Sequence, residues 1–400
     1  MTTETTETRP TPIYGPVFAA DPQLVYDRLR RHGAVAPVEM APGVEALLVT
    51  DYQAALDLLR DTDTFSKDSR AWQRTVAPDN PLLPVLGYRP TALFSDGEVH
   101  ARYRAVITDG LALLEPHRLQ RRVAEVAHQL IDRFEAAGTA DLIAQYARQL
   151  PAFVLTTWFG VPEEHSARLV AGIAGMIEST EKAVVAYADL VAVVTAMVAE
   201  RRERPRHDLA SWFVTHPAEL DDEEVIRQIT LTMIAGHEPT TNLIGNALLR
   251  LFTDARYAGS LIGGAMTAYQ AIDEVLWHEP PLANLSAHYP RYDITFHGRE
   301  IPAGTLVLVS YAAANSQAAP PTDGTELRSG ESAHLAWAAG PHACPARDPA
   351  LLIAITAIEQ LTSRLSDLEL ATPAEDLLWR PGPFHRALVH LPVRFAPVAG

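Results

Sequence analysis

Cys344 is the only cysteine of the 400-residue chain, and it lies in a turn-rich segment just ahead of DPALLIAITAIEQL, a run with helical apolar spacing. A thiol at a helix start lies near unsatisfied backbone N–H groups and the positive end of the dipole, which favour the thiolate. A thiolate is an electron-donating axial ligand for haem iron. Gly340 permits a tight turn that brings loop backbone close to a flat ring, and His342 is a candidate donor to a haem propionate. Without this frame, a lone cysteine is more often a small buried hydrophobe.

A pair of cationic side chains is spaced for one helix face. His100 and Arg104 stand four residues apart in SDGEVHARYRAV, a segment predicted to be helical. Residues at this spacing are neighbours on a helix surface. The pair therefore suits two carboxylates presented together, although two solvated surface side chains would show the same spacing.

The segment around the cysteine resembles the haem-binding loop of the cytochrome P-450 family, Phe-x-x-Gly-x-His/Arg-x-Cys-x-Gly. Trp337 stands at the phenylalanine and Gly340 at the first glycine. His342 and Cys344 match the cation and the iron ligand, and Ala346 replaces the last glycine. Further motifs of the family follow in the expected order along nearly the whole chain. The resemblance implies haem b as cofactor, with the His-x-x-x-Arg pair on its propionates.

The segment IAGHEPTTN, residues 234–242, resembles the family's central helix, which crosses the haem above the iron. The resemblance implies that Ala235 and Gly236 leave room for the distal ligand. It also implies that Glu238 is the acidic member of the acid–threonine pair that handles protons during oxygen activation. A carboxylate on a helix surface is the alternative interpretation of Glu238.

The central segment departs from the family at the threonine, where this chain has Pro239. Proline brings no hydroxyl and removes a backbone donor, so we expect it to kink or loosen the helix. Thr240 and Thr241 follow directly and are candidates to take over the threonine's role. Altered oxygen chemistry or a substrate-assisted mechanism is therefore expected.

Two arginines of the family pattern are also replaced. The Glu-x-x-Arg motif is Glu274-Val-Leu-Trp277, a variant similar to a minority of actinobacterial members. Tryptophan offers one N–H donor and cannot form the bidentate pair that arginine forms. His288 stands where a strand arginine normally meets a propionate, which predicts a weaker and pH-dependent contact. Residues 313–317, AANSQ, stand where Ala-Asn-Arg-Asp is common.

By resemblance, a substrate pocket is lined by the 66–94 loop, residues 160–185, the central helix, residues 284–287 and the turn 381–386. The predicted lining is apolar and aromatic with a few polar anchors, as small-molecule sites usually are. It suits an aromatic natural product, such as a tryptophan-containing cyclic dipeptide, without excluding a steroid, polyketide or fatty acid. The candidates are Trp72, Gln73, Leu93, Phe94, Met176, Ile234, Asn284, Leu285, Ser286, Ala287 and Phe384.

Composition limits the classes of function. The chain is 48% hydrophobic and 20% charged, with a formal net charge of −16, so it is globular and lacks the basic footprint of a nucleic-acid-binding protein. One cysteine excludes an intramolecular disulfide. The polar N-terminus lacks the apolar segment of a signal peptide, and the sequence has no run of 18 apolar residues. We therefore expect a soluble, cytoplasmic protein without a membrane segment.

The periodicity predicts a mainly α protein with a minor β part near each end, and the resemblance implies the single-domain cytochrome P-450 fold, with haem between the central helix and the cysteine loop. Residues 1–12 are predicted to be a disordered tail and 13–400 the catalytic domain. The hairpin VAPVEM–EALLVT, the segments YDITFHG, EIPAG and TLVLVSYAAAN, and the end of the chain are predicted strands. Residues 66–93 and 314–335 are predicted irregular loops. Predicted helices cover 97–135, 140–160, 164–202, 222–252, 257–279 and 346–366.

These features together predict a haem-thiolate oxidase or monooxygenase of bacterial secondary metabolism that hydroxylates its substrate or couples two substrate radicals. Since the chain has no flavin or iron–sulfur motif, the resemblance implies a ferredoxin and a ferredoxin reductase as electron donors. A monomer is expected. A haem-binding protein without turnover, serving recruitment or carrier binding, is the first alternative, and a helical binding protein without haem is the second.

Overall fold

The computed structural model describes residues 10–162, 165–166, 169–170, 180–253, 268–319 and 333–397. The longer helices, in chain order, are α1 (Gly15–Ala20), α2 (Pro22–Arg30), α3 (Tyr52–Arg60), α4 (Arg70–Gln73), α5 (Leu83–Leu86), α6 (Gly97–Ala112), α7 (Pro116–Ile131), α8 (Gln149–Trp158), α9 (Thr180–Glu203), α10 (Leu209–Thr215), α11 (Asp222–Thr253), α12 (Ala268–His278), α13 (Tyr311–Ala318) and α14 (Arg347–Arg364). Short 3-10 and π turns lie between them.

The strands are β1 (Thr11–Pro12), β2 (Val35–Ala41), β3 (Val44–Val49), β4 (Phe65–Ser66), β5 (Thr139–Asp141), β6 (Asn284–Pro290), β7 (Ile294–Phe296), β8 (Arg299–Ile301), β9 (Val307–Ser310), β10 (Glu369–Leu370) and β11 (Pro392–Arg394). Six of them form one sheet in the order β1-β2-β3-β9-β6-β4. The predicted hairpin is the antiparallel pair β2–β3. Strands β10, β11 and β5 form a small sheet, and β7–β8 is a separate hairpin.

The centre of the molecule is α11, whose residues 240–248 are all buried. A helix that is buried on every side needs packing partners all round. Helices α8, α12 and α14 supply them within one large apolar cluster, and α9 packs against the same helix. The helix continues through Pro239 from Asp222 to Thr253, so the expected loosening does not break it. Packing against its neighbours offsets the cost of the proline.

Four sequence predictions need correction. Thr11 and Pro12, placed in the disordered tail, form β1 and pair with Val38 and Glu39 of β2. The predicted strand TLVLVSYAAAN ends at Ser310, whose side chain accepts a hydrogen bond from the Ala313 N–H and starts α13. The predicted helix 140–160 begins instead with β5 and a π turn, and the predicted loop 66–93 contains α4 and α5. In the described part of the chain, no helix is long and apolar enough to cross a membrane.

The base of the segment between β4 and α6 is closed by one carboxylate. Asp96, just before α6, accepts hydrogen bonds from the Ser66 hydroxyl and from the Lys67 backbone N–H at 3.0 Å. Arg291 contacts the same carboxylate at 3.1 Å. Both ends of residues 67–96 are therefore fixed to each other, although most of the segment is irregular.

Candidate functional site

The cysteine loop is shaped by two backbone features. The Cys344 N–H donates to the Trp337 carbonyl at 2.8 Å, which closes the loop. Gly340 has φ +68°, and a Cβ there would lie 2.3 Å from the Leu59 carbonyl oxygen at the end of α3. The predicted need for glycine is confirmed, but the close approach is to α3. Ala338 holds φ +58°, a strained conformation for a residue with a side chain.

Cys344 is half-buried and lies three residues before α14. Burial raises the pKa of its thiol, and this outweighs the Ala346 N–H and Arg104, which lower it. The Ala346 N–H favours the thiolate, as predicted for the helix start, but burial has the larger effect. A bound metal ion would supply the missing charge, because a coordinated thiol loses its proton outright.

His100 and Arg104 of α6 lie beside the cysteine loop, as the spacing predicts. The His100 and His342 rings are 4.0 Å apart at 35°. Arg104 donates to the Ala343 carbonyl. Burial lowers the pKa of His100 and takes that of His342 to about 2. The Nε2 atom of His100 is buried without a hydrogen-bond partner in the described structure, so it is free for a ligand.

His288 joins this group from β6. It is buried, and its Nδ1 lies 2.6 Å from the Ser286 carbonyl oxygen. The pairing of β6 with β9 slips between Leu285 and His288, and Ser286 has φ +55°. Such a bulge re-aims the following side chain. Burial, and then Lys67, hold the pKa of His288 well below its usual value.

Lys67 is a member of the group that the sequence analysis missed. It is 4% exposed, and its Nζ lies 3.1 Å from the Ser286 hydroxyl oxygen. Burial lowers its pKa to about 7, and Asp96 opposes this. The one available signal is rarity, since the chain contains only two lysines, Lys67 and Lys182.

Five basic side chains thus meet beside the cysteine loop: Lys67, His100, Arg104, His288 and His342. Burial lowers the pKa of each of them. We call this group the cation cluster. Buried charges require partners of opposite sign, so the cluster fits an anionic group. Haem presents two carboxylates at one edge, and Cys344 next to the cluster is a suitable axial ligand.

The middle of the central helix has an exposed small residue. Ala235 is exposed, although Met233 and His237 beside it are buried. Gly236 packs against α8, where an added Cβ would lie 3.3 Å from the Leu155 side chain. The two small residues therefore have different uses: Ala235 leaves room beside the helix, and Gly236 lets two helices approach.

Glu238 is buried in an ion pair, so the helix-surface interpretation is wrong. Its carboxylate accepts from the Arg380 guanidinium and from the Asn242 amide at 3.1 Å. Arg380 also donates to Asn242 at 2.9 Å. Burial opposes ionisation of Glu238, but Arg380 and then His385 outweigh it and lower its pKa. The sequence analysis did not single out Arg380 and His385. The turn that follows residue 378 places both residues beside Glu238 of the central helix.

A cavity of about 240 Å³ lies behind this ion pair. Its wall includes Arg380, His385, Glu279, Arg386 and Tyr26. Burial takes the pKa of His385 to about 4. Arg380 and His385, the two basic residues that act on Glu238, therefore lie at the edge of this cavity.

The predicted hydroxyl donors follow Glu238 on the same helix. Thr240 and Thr241 are both 3% exposed. The Thr241 hydroxyl is buried with no hydrogen-bond partner in the described residues. An unsatisfied hydroxyl at this depth is free to bond a ligand or a water molecule.

Trp277 meets a histidine instead of forming the family's ion pair. Its ring contacts His334 edge-on at 5.6 Å and 86°. The His334 Nε2 lies 3.1 Å from Asp273 on α12. Asn315 adds a second bridge by accepting from the Leu335 N–H at 2.7 Å and donating to the Leu276 carbonyl at 3.0 Å. Helix α12 is therefore joined to the cysteine loop without an arginine.

Some predicted substrate residues come together. Trp72, Ala287 and Phe384 lie in one apolar cluster, and Leu285 packs against it. Trp72 also lies 6.2 Å from the Tyr289 ring. These residues therefore belong to the apolar core around β6.

Other predicted substrate residues lie elsewhere. Gln73 and Leu93 are exposed, and Ile234 packs against a different apolar cluster. Asn284 is fully buried, with its amide bound by Tyr26 and Pro383, so it holds the fold. Ser286 contacts Lys67 in the cation cluster. Phe94 is buried, and Met176 lies outside the described residues.

Known proteins resemble the chain over nearly its whole length, although a scan of family models gives no match. The monooxygenase PikC from Streptomyces venezuelae is 30% identical over 391 residues, covering 95% of this chain and 92% of that protein. The 2-hydroxy-5-methyl-1-naphthoate 7-hydroxylase from Streptomyces carzinostaticus is 28% identical and covers 93% and 95%. The solved structure of CYP154C4 from Streptomyces sp. W2061 matches with a TM-score of 0.87 at 27% identity, over 98% of this chain and 100% of that one.

The relatives and the fold agree with the arrangement of the site. A single cysteine precedes α14, a cation cluster lies beside it, and the long central helix packs against α14. The cofactor of these proteins is haem b, and their reaction is the oxidation of organic substrates. The chain belongs to the cytochrome P-450 family.

Proposed function

We propose that this chain oxidises a small aromatic natural product in bacterial secondary metabolism, with tryptophan-containing cyclic dipeptides as the first candidates. The observation that carries the proposal is the apolar, partly aromatic cluster around β6, which includes Trp72, Ala287 and Phe384. Aromatic side chains form offset and edge-on contacts that suit an aromatic ligand. The relative named for a naphthoate, an aromatic acid, supports the same class.

Haem iron bound by Cys344 supplies the oxidising chemistry when oxygen and two electrons are delivered to it. The chain's own residues set the conditions for that chemistry. The cation cluster holds the propionates and so fixes the ring. Ala235 leaves space above it for the substrate's reacting carbon.

Proton delivery is proposed to differ from the usual acid–threonine pair. Arg380 keeps Glu238 ionised, so this carboxylate has no proton to donate and is a weak proton acceptor. Pro239 offers no hydroxyl, and the unpaired Thr241 hydroxyl is the proposed replacement. Hydroxylation and radical coupling without oxygen insertion are the two proposed outcomes, and both need this proton route.

The chain carries no second cysteine and thus no iron–sulfur cluster of its own. We propose that a ferredoxin and its reductase supply the electrons, and that the protein acts as a monomer in the cytoplasm. The alternative is haem binding without turnover, as in a recruitment or carrier-binding protein, which the loss of the threonine hydroxyl at Pro239 would favour.

Two measurements test the proposal. A reduced carbon monoxide difference spectrum must show the band of thiolate ligation. Cyclic dipeptides, naphthoates and macrolides are then titrated for a spin-state change and incubated with surrogate ferredoxin, reductase and NADPH. Products that gain one oxygen atom indicate hydroxylation, and products joined with loss of two hydrogens indicate coupling. Binding without product in any class would favour the alternative.

A further inference from the structure

We propose that Lys67, which directly follows β4, binds a haem propionate. It supplies the cation that β6 lacks, because β6 carries His288 where the family pattern has an arginine. The proposal rests on the haem binding of the proposed function. It assigns this chain's own lysine to the anionic edge of the cofactor, a role that no local sequence motif indicates.

Strand pairing places the lysine. Strands β4 and β6 are antiparallel, with Phe65 opposite Pro290 and Ser66 opposite Tyr289. Continuing this register puts Lys67 opposite His288. The Lys67 ammonium then lies 3.1 Å from the Ser286 hydroxyl, two residues along the same strand. The two side chains therefore belong to one edge of the site.

Among the described residues, no acid is hydrogen-bonded to the Lys67 ammonium. The carboxylate that acts on it is Asp96, whose oxygens are already used by Ser66, the Lys67 backbone N–H and Arg291. The ammonium is bonded to a neutral hydroxyl, that of Ser286. A buried ammonium with only one neutral partner is costly, which an anionic ligand would correct.

The other groups facing Lys67 are themselves basic. His288 comes from β6, His342 from the cysteine loop, and His100 from α6. Lys67 lowers the pKa of each of these histidines, and burial lowers the pKa of Lys67 itself to about 7. A propionate beside it stabilises the charged form and raises the pKa. A purely structural lysine that only bonds Ser286 would stay largely neutral in alkaline solution.

The chain's two lysines make this measurable. Lysine labelled with ¹³C at Cε gives two signals, which Lys67→Arg and Lys182→Arg assign. The haem-loaded, reduced, carbon monoxide-bound protein is diamagnetic and is titrated with pH. We expect Lys67 to remain charged at about pH 8.5, above the pKa of about 7 found in the cation cluster. A neutral Lys67 at that pH in the loaded protein would overturn the proposal.

A second readout follows haem loss to excess apomyoglobin. Lys67→Met keeps the length but removes the charge, and we expect release to be faster by about tenfold to hundredfold. Lys67→Arg should release haem at a rate close to that of the original protein. Equal rates for the methionine variant and the original protein would contradict the proposal. If the original protein binds haem with a thiolate spectrum but Lys67 fails both tests, only the proposed role of Lys67 is rejected. If the original protein binds no haem, the proposed function itself is rejected.

Discussion

His334 connects helix α12 to the cysteine loop by contacting Asp273 at 3.1 Å while its ring meets Trp277 edge-on. Its imidazole is almost fully buried, with 1% of the side chain exposed. In this chain the contact stands where the family pattern has an arginine ion pair. The imidazole of His334 and the indole of Trp277 together take the place of that ion pair.

Replacing His334 with alanine should loosen this connection. The variant removes the contact between His334 and Asp273 and the aromatic contact with Trp277, so we expect a loss of about 1–3 kcal/mol in unfolding free energy. Urea unfolding and the haem content of purified protein measure the effect. His297→Ala is the matched control, because His297 forms a similar pair with Asp57 at 2.9 Å on the surface. Equal losses in both variants would contradict the assigned role.

Removing the arginine that pairs with Glu238 should leave the buried carboxylate without a compensating charge. We expect Arg380→Met to lower the unfolding free energy by about 3 kcal/mol or more, as for other broken buried pairs. The double variant Glu238→Gln/Arg380→Met removes both charges and should recover much of that loss. If the double variant is no more stable than Arg380→Met, the ion pair is not the cause.

The same pair predicts a pH dependence. The folded-state pKa of Glu238 is lowered, so its stabilising contribution is present above the ordinary value of 4.5 and is lost as the pH falls through the lowered pKa. The unfolding free energy of the original protein should therefore fall in acid more steeply than that of Glu238→Gln/Arg380→Met. Parallel curves for the two proteins would contradict this.

Gly340→Ala tests the shape of the cysteine loop. A side chain at positive φ costs about 1 kcal/mol, and here the new Cβ also meets the Leu59 carbonyl. We expect poor haem incorporation and a weak thiolate band. Gly43→Ala is the control, since it has φ +75° with nothing within 4 Å and should show only the backbone cost. Similar haem content in both variants would show that the approach to α3 is unimportant.

The proposed hydroxyl can be separated from its neighbour. Thr241→Val removes the unpaired hydroxyl with little change of shape, and we expect less product for each NADPH consumed and more peroxide. Thr240→Val should change this ratio less. Pro239→Thr restores a hydroxyl at the family's position and should raise the ratio. An unchanged ratio in Thr241→Val would assign proton delivery to another group.

Motifs with short, fixed spacing predicted much of the site. The Cys344 loop and the His100–Arg104 pair depend on one turn or one helix, so their geometry follows from local sequence. Lys67 and Arg380 reach the site through strand pairing and a turn, 219 and 142 residues along the chain from Ser286 and Glu238. Such long-range contacts leave no local signal.

The secondary structure shows the same limit. The apolar segment before residue 311 continues into alanines that fit either a strand or a helix. The Ser310 cap decides the outcome by satisfying an N–H of the next turn. Strand β1 is likewise fixed by its neighbour β2, because a two-residue strand has too few contacts to form alone.

Asp96 closes the segment that begins at Lys67, and this has a consequence for engineering. The carboxylate fastens both ends of the segment to the sheet and to α6, while Leu82 and Leu86 anchor its interior in the apolar core. Loop length is thermodynamically inexpensive once the ends are fixed. Residues 73–91 are therefore a graftable cassette, provided that apolar residues stay at these two positions: exchanging the rest between relatives should change which molecules are accepted while the haem edge keeps its geometry.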